Sequence, residues 1–177
     1  MPKMVYIAIG AKRHRESGNV FCAATLSYDG NDRDYKARFT DILTRATSGG
    51  ETTESGGLAY MLRKALNRLT EPCFVRVRIG TNPQELTLSM TAYSGASGKP
   101  VSPAMKSLNP AIYPELIKTI NSRVASGNIQ VGRIDDDPLV VEVNEMAESF
   151  RQDWLEKRGL LQKPAPSSAP SSNQPAP

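Results

Sequence analysis

The most regular pattern in the chain is a run of apolar residues that predicts one amphipathic helix. Its members recur every three to four residues, which places them on one face of a helix with 3.6 residues per turn. Thr53 or Ser55 is the candidate N-cap, and Pro72 closes the pattern. A helix with one apolar face must pack against another layer of secondary structure. The apolar positions are Leu58, Met61, Leu62, Ala65, Leu66 and Leu69.

Strand patterns on both sides of this helix predict that layer. Phe74–Ile79 follows the helix, alternates between apolar and polar residues, and ends at Gly80. Three segments before the helix are also rich in strand-forming residues, and Asp29-Gly30 is a turn signal between the last two. We expect these three segments to form an antiparallel meander. They are Val5–Ile9, Val20–Tyr28 and Asp34–Phe39.

The later part of the chain adds helix, strand and helix. Pro114 suits the first turn of a helix that includes Val124 and ends at Gly127. Asn128–Ile134 is predicted as a fifth strand, and apolar residues from Val143 to Trp154 predict a final helix. The expected fold class is therefore α/β: a mixed five-stranded sheet, with a three-strand antiparallel meander plus two parallel strands, flanked by helices.

The C-terminal segment 161–177 differs in composition from the rest of the chain. It contains five of the 13 prolines, four serines and no aromatic residue. Such a segment buries too little apolar surface to offset the entropy of ordering it. We therefore expect one folded domain over residues 1–160 and a disordered tail rich in proline, serine and alanine over residues 161–177.

Charge and hydropathy exclude some classes of protein. The formal net charge is +4. Residues 1–80 carry 13 basic side chains against 8 acidic ones, so a polyanion-binding face is expected in that half. No apolar run approaches the roughly 20 residues of a spanning helix. There is no secretory signal pattern, and Cys22 and Cys73 are predicted as buried thiols. We expect a soluble cytoplasmic protein without membrane association.

The order of these elements, from Val5 to about Trp154, resembles the ribonuclease H fold. Cys73-Phe74-Val75 enters the fourth strand at the family's distance from the long helix. Gly98-Lys99-Pro100-Val101 is similar to the Lys-Pro-Val that precedes a later helix of that family. Asn144-Glu145-Met146-Ala147 resembles the Asp-Glu-Leu-Ala that opens its last helix. The resemblance implies a nucleic-acid-related scaffold, and a mobile element or a replication or repair system as its setting.

The family's reaction uses four carboxylates around two Mg²⁺ ions, which activate water and stabilise the leaving oxygen of a phosphodiester. By resemblance, these carboxylates fall on Gly10, Leu58, Gly80 and Asn144, and none of the four residues is acidic. The resemblance therefore implies a ribonuclease H-like scaffold that lacks the catalytic residues, the metal and any other cofactor.

The alternative is an active, Mg²⁺-dependent endonuclease of RNA–DNA hybrids that uses displaced ligands. Glu51, Glu54 and Asp135 are the acids that remain as replacements. The aspartates that precede Pro138 are also typical of a solvated turn. The only histidine, His14, lies in the first loop, whereas many family members keep a catalytic histidine in a late loop.

A nucleic-acid surface does not need metal ions, because phosphate contacts require only basic and hydrogen-bonding groups. Two threonines match a pair that holds a phosphate in the family, and an asparagine falls where the family often contacts a base edge. The basic cluster at residues 12–15 is expected at the tip of the first hairpin, as a phosphate clamp or as a solvated loop. The candidate contacts are Lys12, Arg13, Arg15, Thr52, Thr53 and Asn82.

Arg76 and Arg78 alternate in the fourth strand, so both are expected on the same face of the sheet. A guanidinium in that place needs an acidic partner or an open groove. The expected partners are the acids of the last helix, Glu142, Glu145 and Glu148.

These observations favour a non-catalytic protein that binds duplex nucleic acid or an RNA–DNA hybrid. A second alternative is a protein–protein interaction module on the same scaffold. In that case the proline-rich tail, in an extended polyproline conformation, is the segment that a partner binds.

Overall fold

The computed structural model of the protein describes residues 2–28, 36–80, 111–133 and 137–160. Within them, helices flank a five-stranded sheet. The strands are β1 (Met4–Arg13), β2 (Val20–Tyr28), β3 (Lys36–Leu43), β4 (Cys73–Ile79) and β5 (Val124–Arg133). The helices are α1 (Arg45–Ser48), α2 (Glu54–Leu66), α3 (Ile112–Arg123) and α4 (Pro138–Lys157).

The sheet has the strand order β3-β2-β1-β4-β5, with β1 at its centre. β2 pairs antiparallel with both β1 and β3, whereas β4 pairs parallel with both β1 and β5. Parallel neighbours require crossover connections. Helix α2 lies between β3 and β4 in the chain, and α3 lies between β4 and β5. This topology confirms the predicted mixed sheet.

Alternation along β1 sends its side chains to two different layers. Val5, Ile7 and Ile9 belong to the main core, which they share with α2 and α3. Ala8 belongs to a smaller cluster with Val140 and Val143 of α4. Helices α2 and α3 therefore cover one face of the sheet. Helix α4 covers the β1–β2 half of the other face, and no other helix of the described residues covers β4 and β5 there.

Helix α2 begins at one of the two predicted caps. Thr53 is the N-cap, and its hydroxyl oxygen accepts a hydrogen bond of 2.9 Å from the backbone N–H of Gly56. The helix ends at Leu66, with Asn67 as its C-cap. Its predicted apolar face is buried in the main core.

Two predicted boundaries are wrong. β1 does not end near Gly10, because its backbone stays paired with β2 as far as the pair Arg13–Val20. Lys12 and Arg13 are therefore strand residues, and the tip of the hairpin is formed by residues 14–19. The third helix ends at Arg123 and does not reach Gly127, since Val124 already pairs with β4.

Several sequence predictions lie outside the described residues. They concern the Asp29-Gly30 turn, the Gly98–Val101 segment, Asn82, Asp135 and the tail over residues 161–177. No helix in the described ranges combines the length and the apolar character needed to cross a bilayer.

Helix α4 approaches β1 more closely than an ordinary side chain permits. A Cβ atom placed on Gly10 would lie 2.8 Å from the carbonyl oxygen of Val143, a distance that real Cβ contacts do not show. Ala8 and Ala23, which face the same helix, are also small and fully buried. The absence of large side chains in this part of the sheet allows the close packing.

We expect Gly10→Ala to destabilise the protein by about 1–3 kcal/mol, because the added methyl group overpacks the contact with α4. Gly132→Ala is the matched control, since a Cβ atom at Gly132 in β5 meets nothing within 4 Å. Urea unfolding of both variants measures the difference. Equal stability of the Gly10→Ala variant and the wild type would show that α4 does not lie this close to β1.

The two cysteines are free and buried, as predicted. Burial raises the pKa of the Cys22 thiol, and it also raises the pKa of the Cys73 thiol. Because the thiolate is the reactive form, we expect both to react slowly with a thiol reagent at pH 8 in the native protein and rapidly in denaturant. Fast labelling of both thiols in the native state would contradict the buried positions.

Candidate functional site

Three of the four positions that the resemblance predicts for the family's carboxylates meet at one corner of the fold. Gly10 lies in β1, Gly80 directly follows β4, and Asn144 lies in the second turn of α4. A Cβ atom at Gly10 would lie 2.8 Å from Asn144 Oδ1, and one at Gly80 would lie 2.9 Å from Asn144 Nδ2. The Asn144 amide therefore sits against both glycines and takes up the space that their side chains would need. We call these three residues the glycine corner.

The fourth position, Leu58, lies on the other side of the sheet. It belongs to α2, is 3% exposed, and packs in the main core. Sequence matching alone placed it with the other three, but the structure assigns it to the apolar layer between α2 and the sheet.

The glycine corner does not fit a pair of magnesium ions. Mg²⁺ takes oxygen ligands in octahedral geometry and is bound mostly by carboxylates. The corner supplies one neutral amide oxygen, and Val140 packs on its Gly80 side. In the part of the chain that the structure describes, no group of three or more histidine, cysteine, aspartate or glutamate side chains could hold a metal ion.

The threonine pair at the start of α2 is engaged inside the protein. The Thr52 hydroxyl is buried, donates a hydrogen bond to the carbonyl oxygen of Gly18, and accepts one of 3.1 Å from Arg13 Nε. The Thr53 hydroxyl caps α2. Thr52 thus fixes the hairpin of β1 and β2 against the N-terminus of α2, and Thr53 fixes the first turn of that helix.

The acids near this helix terminus are held by arginines. Glu51 lies 3.2 Å from Arg45 Nε and 3.7 Å from Arg13 Nη2. Glu54 accepts a hydrogen bond of 3.3 Å from the backbone N–H of Arg13. Two of the three acids considered as replacement metal ligands are therefore bound to arginine.

The basic cluster of the first hairpin is divided between two faces and a turn. Arg13 points to the side of α2, as its bond to Thr52 shows. Lys12 points to the side of α4, where its charge acts on Glu148. Arg15 is exposed in the turn, where no partner for its side chain is found among the described residues. The structure brings Arg13, Thr52 and Thr53 together, but it does not gather the cluster on one surface.

The His14 ring contacts residues of its own turn and of α4. Its Nδ1 is hydrogen-bonded to the Ser17 hydroxyl at 2.8 Å, its Nε2 lies 3.1 Å from Glu16, and its ring packs 6.1 Å from that of Trp154. These contacts attach the hairpin turn to the C-terminal part of α4.

Arg76 and Arg78 do share one face of the sheet, but their predicted partners are wrong. Arg78 Nη1 donates a hydrogen bond of 2.6 Å to Asp137, the N-cap of α4, and the guanidinium lies 4.7 Å from the centroid of the Tyr6 ring. Arg76 Nη1 bonds to Asn128 at 2.9 Å. Of the three acids that were expected, Glu142 pairs with Arg38 of β3.

Asp137 was missed as a site residue, although the sequence carries a signal for it. An aspartate directly before a proline at the first helical position is a typical helix start. Its Oδ1 accepts a hydrogen bond of 2.8 Å from the N–H of Leu139, which leaves Oδ2 for Arg78. Tyr6 carried no such signal, because its role depends on the pairing of β1 with β4.

Comparison with solved structures finds ribonucleases H. LC9-RNase H1, described as a type 1 RNase H with the type 2 active-site motif, is 11% identical with a TM-score of 0.57; the match covers 90% of this chain and 84% of that one. LC11-RNase H1, in complex with an RNA/DNA hybrid, is 18% identical with a TM-score of 0.47, and the coverage is 81% and 99%. The N-terminal RNase H domain of a Mycobacterium tuberculosis protein is 13% identical with a TM-score of 0.47, and the coverage is 83% and 97%.

No protein-family model matches the sequence, and no curated protein matches it. The assignment of the fold rests on the first of these structures, whose TM-score exceeds 0.5, and on the strand order β3-β2-β1-β4-β5 with its antiparallel and parallel pairs. The protein therefore has the ribonuclease H-like fold.

Proposed function

We propose that this protein binds nucleic acid, as a duplex or an RNA–DNA hybrid, and does not cleave it. The observation that carries the proposal is the glycine corner. The positions that the resemblance assigns to metal binding are two glycines and a neutral amide, and α4 packs directly onto the glycines, which supports the proposal.

The electrostatics of cleavage supports the non-catalytic half of the proposal. Two-metal hydrolysis depends on a pair of divalent cations that stabilise the attacking and leaving oxygens. Holding two such cations about 4 Å apart needs several negative charges close by. The corner offers none, Glu51 is paired with Arg13 and Arg45, and Glu54 accepts a hydrogen bond from the backbone N–H of Arg13.

The binding half of the proposal draws on groups that phosphate contacts require. Arg13 supplies positive charge beside the N-terminus of α2, Arg15 adds charge in the adjoining turn, and Lys12 adds charge on the side of α4. Free N–H groups at a helix N-terminus favour an anion. Thr52 and Thr53 act by positioning Arg13 and the helix terminus. Asn82 remains a predicted base contact.

Nearby acids reduce the positive potential of this surface. Glu16, Glu51 and Glu54 lie among the arginines of the hairpin and α2. We therefore propose an interaction dominated by a few phosphate contacts, which weakens as salt increases in proportion to the number of phosphates that are neutralised.

Replacement of Arg15 tests the binding surface. Arg15 is exposed, so Arg15→Glu leaves the fold intact and takes one positive charge away from the phosphates. We expect it to weaken hybrid binding and to lower the slope of log K against log salt by about 0.9 for each phosphate that is no longer neutralised. Fluorescence anisotropy at several salt concentrations measures both effects.

Lys118→Glu is the control for that experiment, because it changes the charge of the protein by the same amount as Arg15→Glu. Lys118 lies on α3, and 76% of its side chain is exposed. If both variants bind alike, or if the wild type binds no hybrid at low salt, the proposed surface is wrong.

A cleavage assay tests the absence of catalysis. We expect no cutting of a labelled RNA–DNA hybrid in Mg²⁺ or Mn²⁺, and no heat of binding when either ion is titrated into the protein. Cleavage that depends on metal and is abolished by Glu54→Gln would establish the alternative, an endonuclease with displaced ligands.

A further inference from the structure

The face of the sheet beside α4 carries a second cluster of charge that the proposed function does not use. Tyr6, Arg76, Arg78, Gln130 and Gly132 line a groove with a volume of about 320 Å³ on β1, β4 and β5. The register places these residues next to one another, since Tyr6 and Gln130 both pair with Arg76. We call it the arginine groove.

The arginine groove carries a net positive charge. Asp137 neutralises Arg78 through an ion pair of 2.6 Å. Arg76 bonds only to the neutral side chain of Asn128 and to the carbonyl oxygen of Val75, and no carboxylate of the described residues lies within ion-pair distance. A partly buried guanidinium without an acidic partner is costly, and an anionic ligand offsets that cost.

The groups that line the groove suit a phosphodiester. Arg76 uses one guanidinium nitrogen, Nη1, for its two bonds, so Nε and Nη2 remain as donors for a phosphate oxygen. Arg78 stacks on Tyr6, and the amide of Gln130 is exposed. Stacked guanidinium and amide groups are common contacts of nucleotide bases.

The groove's shape favours a single strand over a duplex. It lies beside the N-terminal end of α4, to which Asp137 connects it. A cavity of this size is at the lower end of the volumes of small-ligand sites, roughly 300–1,000 Å³. A flexible strand can place one phosphate and one unstacked base in a groove of this size, whereas the bases of a duplex are stacked on one another and present only their edges.

We propose that the arginine groove binds the backbone of single-stranded nucleic acid. The groove adjoins the glycine corner, because Arg78 precedes Gly80 by two residues on the same face of the sheet. The inference does not depend on the proposed function, because the groove lies on the opposite face of the sheet from α2.

Gly132 offers a way to change the charge of the groove without disturbing the fold. A Cβ atom at this position meets no atom within 4 Å. Gly132→Glu places a carboxylate in the groove, and Gly132→Gln places a neutral side chain of the same shape there. Arg76→Gln removes the unpaired charge and keeps a hydrogen-bonding group.

The experiment measures anisotropy of labelled oligothymidylate, which has no base pairs, and of a blunt RNA–DNA hybrid, with the full chain. We expect Arg76→Gln to weaken oligothymidylate binding about tenfold, because it loses one hydrogen bond to a charged group. Gly132→Glu should weaken it by a similar factor, because its carboxylate repels the phosphate. Arg76→Gln should also lower the salt slope by about 0.7. Gly132→Gln should bind oligothymidylate more tightly than Gly132→Glu does, and neither Gly132 variant should change hybrid binding.

Three results would overturn the inference: no oligothymidylate binding at low salt, equal binding by Gly132→Glu and Gly132→Gln, or Arg76-dependent binding of a glutamate-rich peptide in place of the oligonucleotide. The result for the blunt hybrid separates the two proposals. Single-strand binding that responds to Gly132→Glu supports the groove even where the hybrid is not bound and the proposed function fails.

Discussion

The contact of α4 with the centre of the sheet determines which side chains the glycine corner can hold. Gly10 and Gly80 leave no side chain between the strands and the helix, so the Asn144 amide and the backbone of Val143 come into direct contact with them. The small volume between β1, β4 and α4 is therefore filled by the helix itself, and none of the three residues of the glycine corner places a carboxylate in it. The proposed absence of cleavage rests on this packing.

A second constraint is the balance of charge at the start of α2. Arg13 is bonded to Thr52, lies near Glu51 and donates its backbone N–H to Glu54, so it joins the hairpin to the helix. The Arg13 guanidinium therefore holds Thr52 and Glu51 in place as well as being available to a phosphate. The guanidinium of Arg76 lies on the opposite side of the sheet from α2. It forms no ion pair with an acid among the described residues.

Much of the fold could be predicted from the sequence, because the alternating strands and the apolar face of α2 are strong local signals. The end of β1 could not, since Lys12 and Arg13 are polar and are held in the strand by pairing with β2. The resemblance predicted that Gly10, Gly80 and Asn144 lie close together. It did not predict that Leu58 is buried apart from them, because that depends on how deeply α2 lies in the core. The partner of Arg78 was missed because the prediction considered the face of the last helix and not its cap.

Asp137 performs two tasks with its two oxygens. One oxygen holds the first turn of α4 through Leu139, and the other holds Arg78 on the sheet. Asp137 is only 8% exposed, so water cannot readily replace a lost partner. An anion that drew Arg78 away would leave a nearly buried negative charge at the helix start. Binding of an anion to Arg78 would therefore destabilise the first turn of α4, because both Arg78 and that turn are held by the carboxylate of Asp137.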